Sequence, residues 1–169
     1  MIVPKSTSYA NAFIERYLFK QKHYQNIVIH MKIMLNRIGD PMHFQAINEN
    51  GSTLDMDAKP AVGGTGQGMG PMETLIAALG GCSSIDIVLF LKKFRQELHD
   101  IRVEIDADRD PDQTPSLFTK IHAHYHLYGS LDAKQVEKAI SLSIDKYCSV
   151  AQIIKKTAPI TYTYTIHSI

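Results

Sequence analysis

Two stretches of the chain alternate apolar and polar positions. Ile101 to Ala107 reads IRVEIDA, and Leu117 to Tyr128 sets Ile121, Ala123, Tyr125 and Leu127 against His122, His124 and His126. Successive side chains of a strand point to opposite faces, so each pattern predicts a strand with one buried face. Ile160 to Ile166 (ITYTYTI) predicts a closing strand. Toward the N-terminus, Ile27–Leu35, Met42–Ile47 and Thr53–Met56 predict three strands joined by the turns NRIGDP and NENGS, an antiparallel meander.

A different pattern separates these groups. From Leu75 to Leu91 the chain is apolar nearly all round, behind a proline, Pro71, that suits the first position of a helix. A helix without a polar face is buried on every side. Gly80 and Gly81 weaken it by roughly 1 kcal/mol each relative to alanine, and they let another backbone come close. A chain of this size has trouble covering such a helix alone, and a partner subunit is suited to cover the rest. Asp132 to Lys146 predicts an amphipathic helix with Val136, Ile140 and Ile144 on one face and Asp132 as N-cap. A second helical piece, Ser149 to Thr157, follows Cys148. Strands, helix, strands, helices, strand is an α+β layout with antiparallel pairing.

The 169 residues suit one domain, here residues 27–169, behind an N-terminal extension, residues 1–26, with a short helix around Asn11 to Phe19. Met31 is an alternative start. The formal net charge of +1, without blocks of like charge, gives no reason to expect nucleic acid or a membrane surface as partner. The first 26 residues lack the apolar core of a signal peptide, and Leu75–Leu91 is short for a bilayer span and contains Asp86. These features predict a cytoplasmic protein. In a reducing compartment, two cysteines that bond to each other are more often catalytic or redox-sensing than structural.

The candidate chemistry begins with those cysteines, Cys82 in GGCSSID and Cys148 in KYCSV. Each is readable as a small core hydrophobe or as half of a redox pair. Cys82 lies too far along its helix for the dipole to lower its pKa much. Cys148 lies at a break between helices, and only tertiary folding could bring the two together. Asp86, one turn after Cys82, is readable as a catalytic base or as a buried, hydrogen-bonded structural group. Glu73 lies in the first helical turn, where a negative charge is favoured without any catalytic role. His122, His124 and His126 on one strand face could hold a metal, or form a solvated polar face. The glycine-rich run GGTGQGMGP, Gly63 to Pro71, matches neither a dinucleotide fingerprint nor a phosphate loop and reads as a flexible loop before a helix.

Taken together, GPMETLIAALGGCSSID and the later DKYCSVAQIIKKTAPITYTY resemble the OsmC/Ohr family, the osmotically inducible and organic-hydroperoxide-resistance proteins, over about Met31 to Ile166. The resemblance implies an intertwined homodimer, with antiparallel sheets flanking two long central helices. It implies thiol-dependent reduction of organic hydroperoxides, Cys82 being the peroxidatic cysteine and Cys148 the resolving one. A dithiol such as a dihydrolipoyl group would be the reductant, and no metal, haem or flavin is required. The family supports its thiolate with an arginine from the N-terminal hairpin, for which Arg37 is the nearest candidate, and with a glutamate directly after the helix-starting proline. This chain has Met72 at that position, and Glu73 follows it. Arg37 is equally readable as an exposed turn residue. The alternative within the same fold is a non-catalytic dimer binding an apolar small ligand at the subunit interface, with Met69, Met72 and Phe90 lining the pocket.

Overall fold

The computed structural model describes residues 30–168. The extension through Asn26, the short helix expected in it, and the start of the first expected strand lie outside the described residues. The elements run β1 (Ile33–Gly39), β2 (His43–Asn48), β3 (Thr53–Met56), a single 3-10 turn (Pro60–Val62), α1 (Pro71–Lys93), β4 (Glu97–Arg109), β5 (Phe118–Ser130), α2 (Ala133–Leu142), a π-helical turn (Ser143–Tyr147), α3 (Ser149–Ile154) and β6 (Ile160–His167). They form two three-stranded sheets, β1-β2-β3 and β4-β5-β6, and the α+β class stands.

The alternation in β5 sorts its residues as expected. Ile121, Ala123, Tyr125 and Leu127 are fully buried, and with Leu79, Ile87 and Leu91 of α1 and Val136, Ala139 and Ile140 of α2 they form the core. The expected pairing needs one correction. β4 and β5 are antiparallel, but β5 and β6 are parallel, with Tyr125 opposite Tyr164. A parallel pair requires a crossover connection. Here α2, the π-turn and α3 provide it, returning the chain to the same edge direction that β5 began from.

α1 starts and stops on local chemistry. Gly70 is its N-cap and Pro71 its first residue, and Glu73 reaches back to accept a hydrogen bond from the Gly70 N–H (2.8 Å). The left-handed Arg95 (φ 58°) turns the chain out of the helix into β4. Gly80 faces β4 closely: a Cβ there would lie 3.2 Å from Ile105 Cδ1. A Cβ on Gly81 would meet nothing. At 23 residues, α1 is longer than its apolar core suggested, and by length and composition it matches a membrane span. In this fold it is the central helix, packed on β4 and α2.

Its burial is one-sided. Leu79, Gly80, Ser83, Ile87 and Leu91 are buried, while Ile85 and Leu89 are 64% and 59% exposed. Ala78, Gly81 and Val88 continue that open apolar face. The β1-β2-β3 sheet is also uncovered: none of its strand residues is buried, and Ile33, Met34 and Leu35 are largely exposed.

The glycine-rich run is not a loose loop. Asp57, almost fully buried, accepts hydrogen bonds from the backbone N–H groups of Ala58 (2.7 Å), Thr65 (3.1 Å) and Gln67 (3.1 Å) and from the Thr65 hydroxyl. Gly64 packs directly on the Ala58 carbonyl, and Gly68 on the backbone of Asp55 and Met56, where no side chain fits. Met56 and Met69 form an isolated parallel bridge, so the run is a strap that ties β3 to the start of α1.

Candidate active site

The two cysteines meet. Cys82 projects from the middle of α1, and Cys148 caps the N-terminus of α3, its Sγ accepting from the Ala151 N–H (3.4 Å). The sulfur atoms and a carboxylate oxygen of Asp86 all lie within 4.8 Å of one another. Both thiols are free, Cys82 half-buried and Cys148 fully buried. A disulfide needs an S–S distance of about 2.05 Å.

The π-turn delivers Cys148. The Cys148 N–H donates to the Ser143 carbonyl five residues earlier (2.9 Å), a wider ring than the α-helical one. The extra residue rotates Cys148 inward toward α1. Gln152 steadies the turn by donating from Nε2 to the Ile144 carbonyl (3.0 Å). The expected single helix from Asp132 to Lys146 is therefore α2 plus this turn. Its N-cap is as read, with the Asp132 carboxylate accepting from the Gln135 N–H.

Buried hydroxyls surround the sulfurs. The Ser143 hydroxyl donates to Asp86 Oδ2 (3.2 Å) and lies 3.3 Å from the Ser83 carbonyl. The Ser83 hydroxyl donates to the Leu79 carbonyl (2.8 Å) and receives the Tyr125 hydroxyl (2.8 Å). Ser83, Tyr125 and Ser143 were not singled out from the sequence. The local signals were Ser83 beside Cys82 and one tyrosine on the apolar face of β5; nothing local marked Ser143, five residues before Cys148. Burial raises the Asp86 carboxyl above its ordinary value, against the lowering effect of the Ser143 hydrogen bond. Burial pushes the Cys148 thiol up to about 12, helped by its contact with Cys82 and by the nearby Asp86, while the Ala151 N–H pulls the other way. None of these groups is cationic.

The remaining candidates lie elsewhere. Arg37 pairs with Asp40 across its turn (3.1 Å) and is exposed. Glu73 pairs with Lys59 (2.7 Å), whose hydrogen bond, with the Gly70 N–H, holds the carboxyl below its ordinary value. Nine residues separate it from Cys82, about 13 Å along the axis. Lys155, close to the π-turn in sequence, is held by Asp145 (2.6 Å). The histidines of β5 lie on the polar face, where His122 and His124 contact Thr161, Thr163 and Thr165, and His126 contacts His167. Among the described residues, the grouping whose ligand atoms converge is Cys82, Asp86 and Cys148, not the three histidines.

A cleft of about 1030 Å³ opens between the strap, α1 and β4, and neither cysteine lines it. Met69 and Met72 line it with Ile76, Val103, Ile105 and Phe118. Phe90 does not; it packs against Phe94 and Tyr147.

Residues 64–163 match the family model described as OsmC-like protein. Protein YhfA of Escherichia coli K12 is 41% identical over 97 residues, which is 57% of this chain and 72% of that protein. A hypothetical protein from Aquifex aeolicus VF5 superposes with a TM-score of 0.73 at 26% identity, over 84% of this chain and 99% of that one. The structure of an organic hydroperoxide resistance protein OsmC from Legionella pneumophila has the same fold, with a TM-score of 0.64 at 15% identity over 83% of this chain and 99% of that one.

Proposed function

We propose, from the premise that this chain belongs to the OsmC-like family, that it is a thiol-dependent reductase of organic hydroperoxides acting as a homodimer. The observation that carries this reading is the convergence of the Cys82 and Cys148 sulfurs from distant parts of the chain. The asymmetry of the pair supports the roles. Cys82 is the accessible sulfur and Cys148 the buried one.

The Cys82 thiolate attacks the distal oxygen of the hydroperoxide. The O–O bond breaks, the alkoxide leaves and takes up a proton as the alcohol, and Cys82 becomes a sulfenic acid. Cys148 attacks that sulfur, hydroxide leaves as water with the proton from Cys148, and the disulfide forms. An external dithiol, of which a dihydrolipoyl group is one, reduces the disulfide by exchange and returns both thiols. Arg37 and Glu73 are supporting groups in this reading only if a partner chain brings them to the sulfurs, since within the chain they engage Asp40 and Lys59.

The dimer reading rests on apolar surface. Ile85 and Leu89 on α1 lie open beside Gly81, which offers a close approach for a second backbone. Covering each of those two side chains is worth about 1.5–3 kcal/mol.

The test is consumption of cumene hydroperoxide and of hydrogen peroxide with dihydrolipoamide as reductant, comparing the unaltered chain with Cys82→Ser. Fast loss of the bulky peroxide that disappears in Cys82→Ser supports the reading. Turnover that survives in Cys82→Ser overturns it. A second reading, a non-catalytic dimer holding an apolar ligand, draws on the Met69- and Met72-lined cleft. It gains ground if no peroxide is lost above the variant.

A further inference from the structure

Three potentially anionic donors, Cys82, Cys148 and Asp86, share one half-buried space. The hydrogen bonds given to them come from neutral donors, the Ser143 hydroxyl to Asp86 and the Ala151 N–H to Cys148. Lys155, close to the π-turn in sequence, is committed to Asp145. Gathering such donors without a counter-charge is unfavourable unless they stay protonated or a cation joins them.

We infer that the reduced protein binds one thiophilic divalent cation, of which zinc is the type, through Cys82 Sγ, Cys148 Sγ and a carboxylate oxygen of Asp86. Two thiolates and a carboxylate suit zinc or cadmium rather than magnesium or calcium, which prefer all-oxygen shells. Zinc–sulfur bonds are about 2.3 Å, so tetrahedral ligand atoms sit about 3.8 Å apart. The three donors already lie within 4.8 Å, so each need move by less than about 1 Å. The Ser143 hydroxyl, donating to Asp86 Oδ2, orients the carboxylate from outside and leaves its other oxygen for the metal.

Three protein ligands leave a fourth position open to water or to an exogenous thiol. On binding, the two thiols release two protons to solvent as the metal takes the thiolates, and no electrons move. The disulfide has no thiolate to offer. Metal and disulfide therefore exclude one another, and the same pair that bonds when oxidised would be shielded by metal when reduced. The inference does not depend on peroxide turnover, and it puts the metal on the cysteine pair rather than on the outward histidines, which the sequence left readable as a metal site or a solvated polar face.

The experiment uses the full chain, reduced and free of any histidine tag. Zinc affinity is measured by competition with a chromophoric chelator, and cobalt is added separately to read thiolate-to-cobalt charge transfer in the near ultraviolet. The expected result is one equivalent per chain with the charge-transfer band. Affinity should fall about tenfold or more in Cys82→Ser and in Asp86→Asn. It should vanish in the disulfide form and stay unchanged in His126→Ala. Asp86→Asn keeps an acceptor for Ser143, so it guards against Cys82→Ser simply failing to fold. Cobalt binding without the charge-transfer band, full affinity in Asp86→Asn, or loss of binding in His126→Ala would each overturn the inference. These readouts hold whether or not the protein reduces peroxides.

Discussion

Ser143 and Asp86 are hydrogen-bonded across the core (3.2 Å), and that bond joins the turn carrying Cys148 to the helix carrying Cys82. With the Ser143 contact to the Ser83 carbonyl (3.3 Å), it ties turn to helix in a region packed by Leu79, Ile87, Ile140 and Ile144. Ser143→Ala leaves a half-buried carboxylate short of a donor, a loss of about 1–3 kcal/mol. Denaturant unfolding should show a lower midpoint with an unchanged slope. Disulfide formation in the oxidised protein should slow, because the turn is no longer fixed to α1. A variant as stable and as quick to oxidise as the unaltered chain would mean that packing alone positions Cys148.

Removing the buried thiol should separate the two half-reactions. Cys148→Ser is expected to consume about one hydroperoxide per site and then stall as a sulfenic acid. Intact mass with a sulfenic-acid trap reads both the stoichiometry and the site. Unlabelled Cys82 after peroxide, or continued turnover, would count against Cys148 as the resolving thiol. Cys148→Ala is a useful second variant, since it removes the sulfur and the cap together, whereas a serine hydroxyl keeps an acceptor for the Ala151 N–H.

These predictions depend on features that were unevenly legible in the sequence. β5 could be read because its period is local: Ile121, Ala123, Tyr125 and Leu127 are buried whatever lies beyond them. The Asp132 cap is also local, acting over three residues. The parallel partnership of β5 with β6 is not, because either direction satisfies the alternation in ITYTYTI and the crossover decides. Nor is the π-turn, for nothing in SIDKYC marks a five-residue ring rather than a four-residue one. The cysteine contexts suggested a pair only through resemblance, since spacing says nothing about two residues so far apart. The strap was misread because glycines look flexible in isolation, whereas the buried Asp57 recruits three N–H groups and a hydroxyl to fix them.

Asp57 gives a pH prediction. The Thr65 hydroxyl, with the backbone donors and against the effect of burial, holds its carboxyl below the ordinary value. A carboxyl depressed in the folded state stabilises it above the unfolded value, about 3.9, and that contribution is lost as pH falls through the folded value. Thermal unfolding from neutral pH down to about pH 3 should therefore show an acid-side decline that Asp57→Asn flattens. At neutral pH the variant should melt lower, and the amides of Ala58, Thr65 and Gln67 should exchange faster. Curves that stay parallel across this range would show that Asp57 adds nothing through its charge.

The open face of α1 supplies the last prediction. Gly81 has no atom near a built Cβ, whereas Gly80 has Ile105 and Val103 against it. Within one chain, a side chain at position 81 would extend into free space, and the helix would gain about 1 kcal/mol from losing a glycine. If a second copy of α1 lies there, the same side chain strikes its backbone. Gly81→Leu should therefore weaken the dimer while leaving the fold of each chain intact, and Ile85→Asp should do so by charging a buried contact. Sedimentation at micromolar concentration reads the assembly, and far-ultraviolet circular dichroism reads the fold. A monomeric unaltered chain, or a Gly81→Leu protein that is more stable and assembles as before, would leave Ile85 and Leu89 uncovered and remove the dimer from the proposed mechanism.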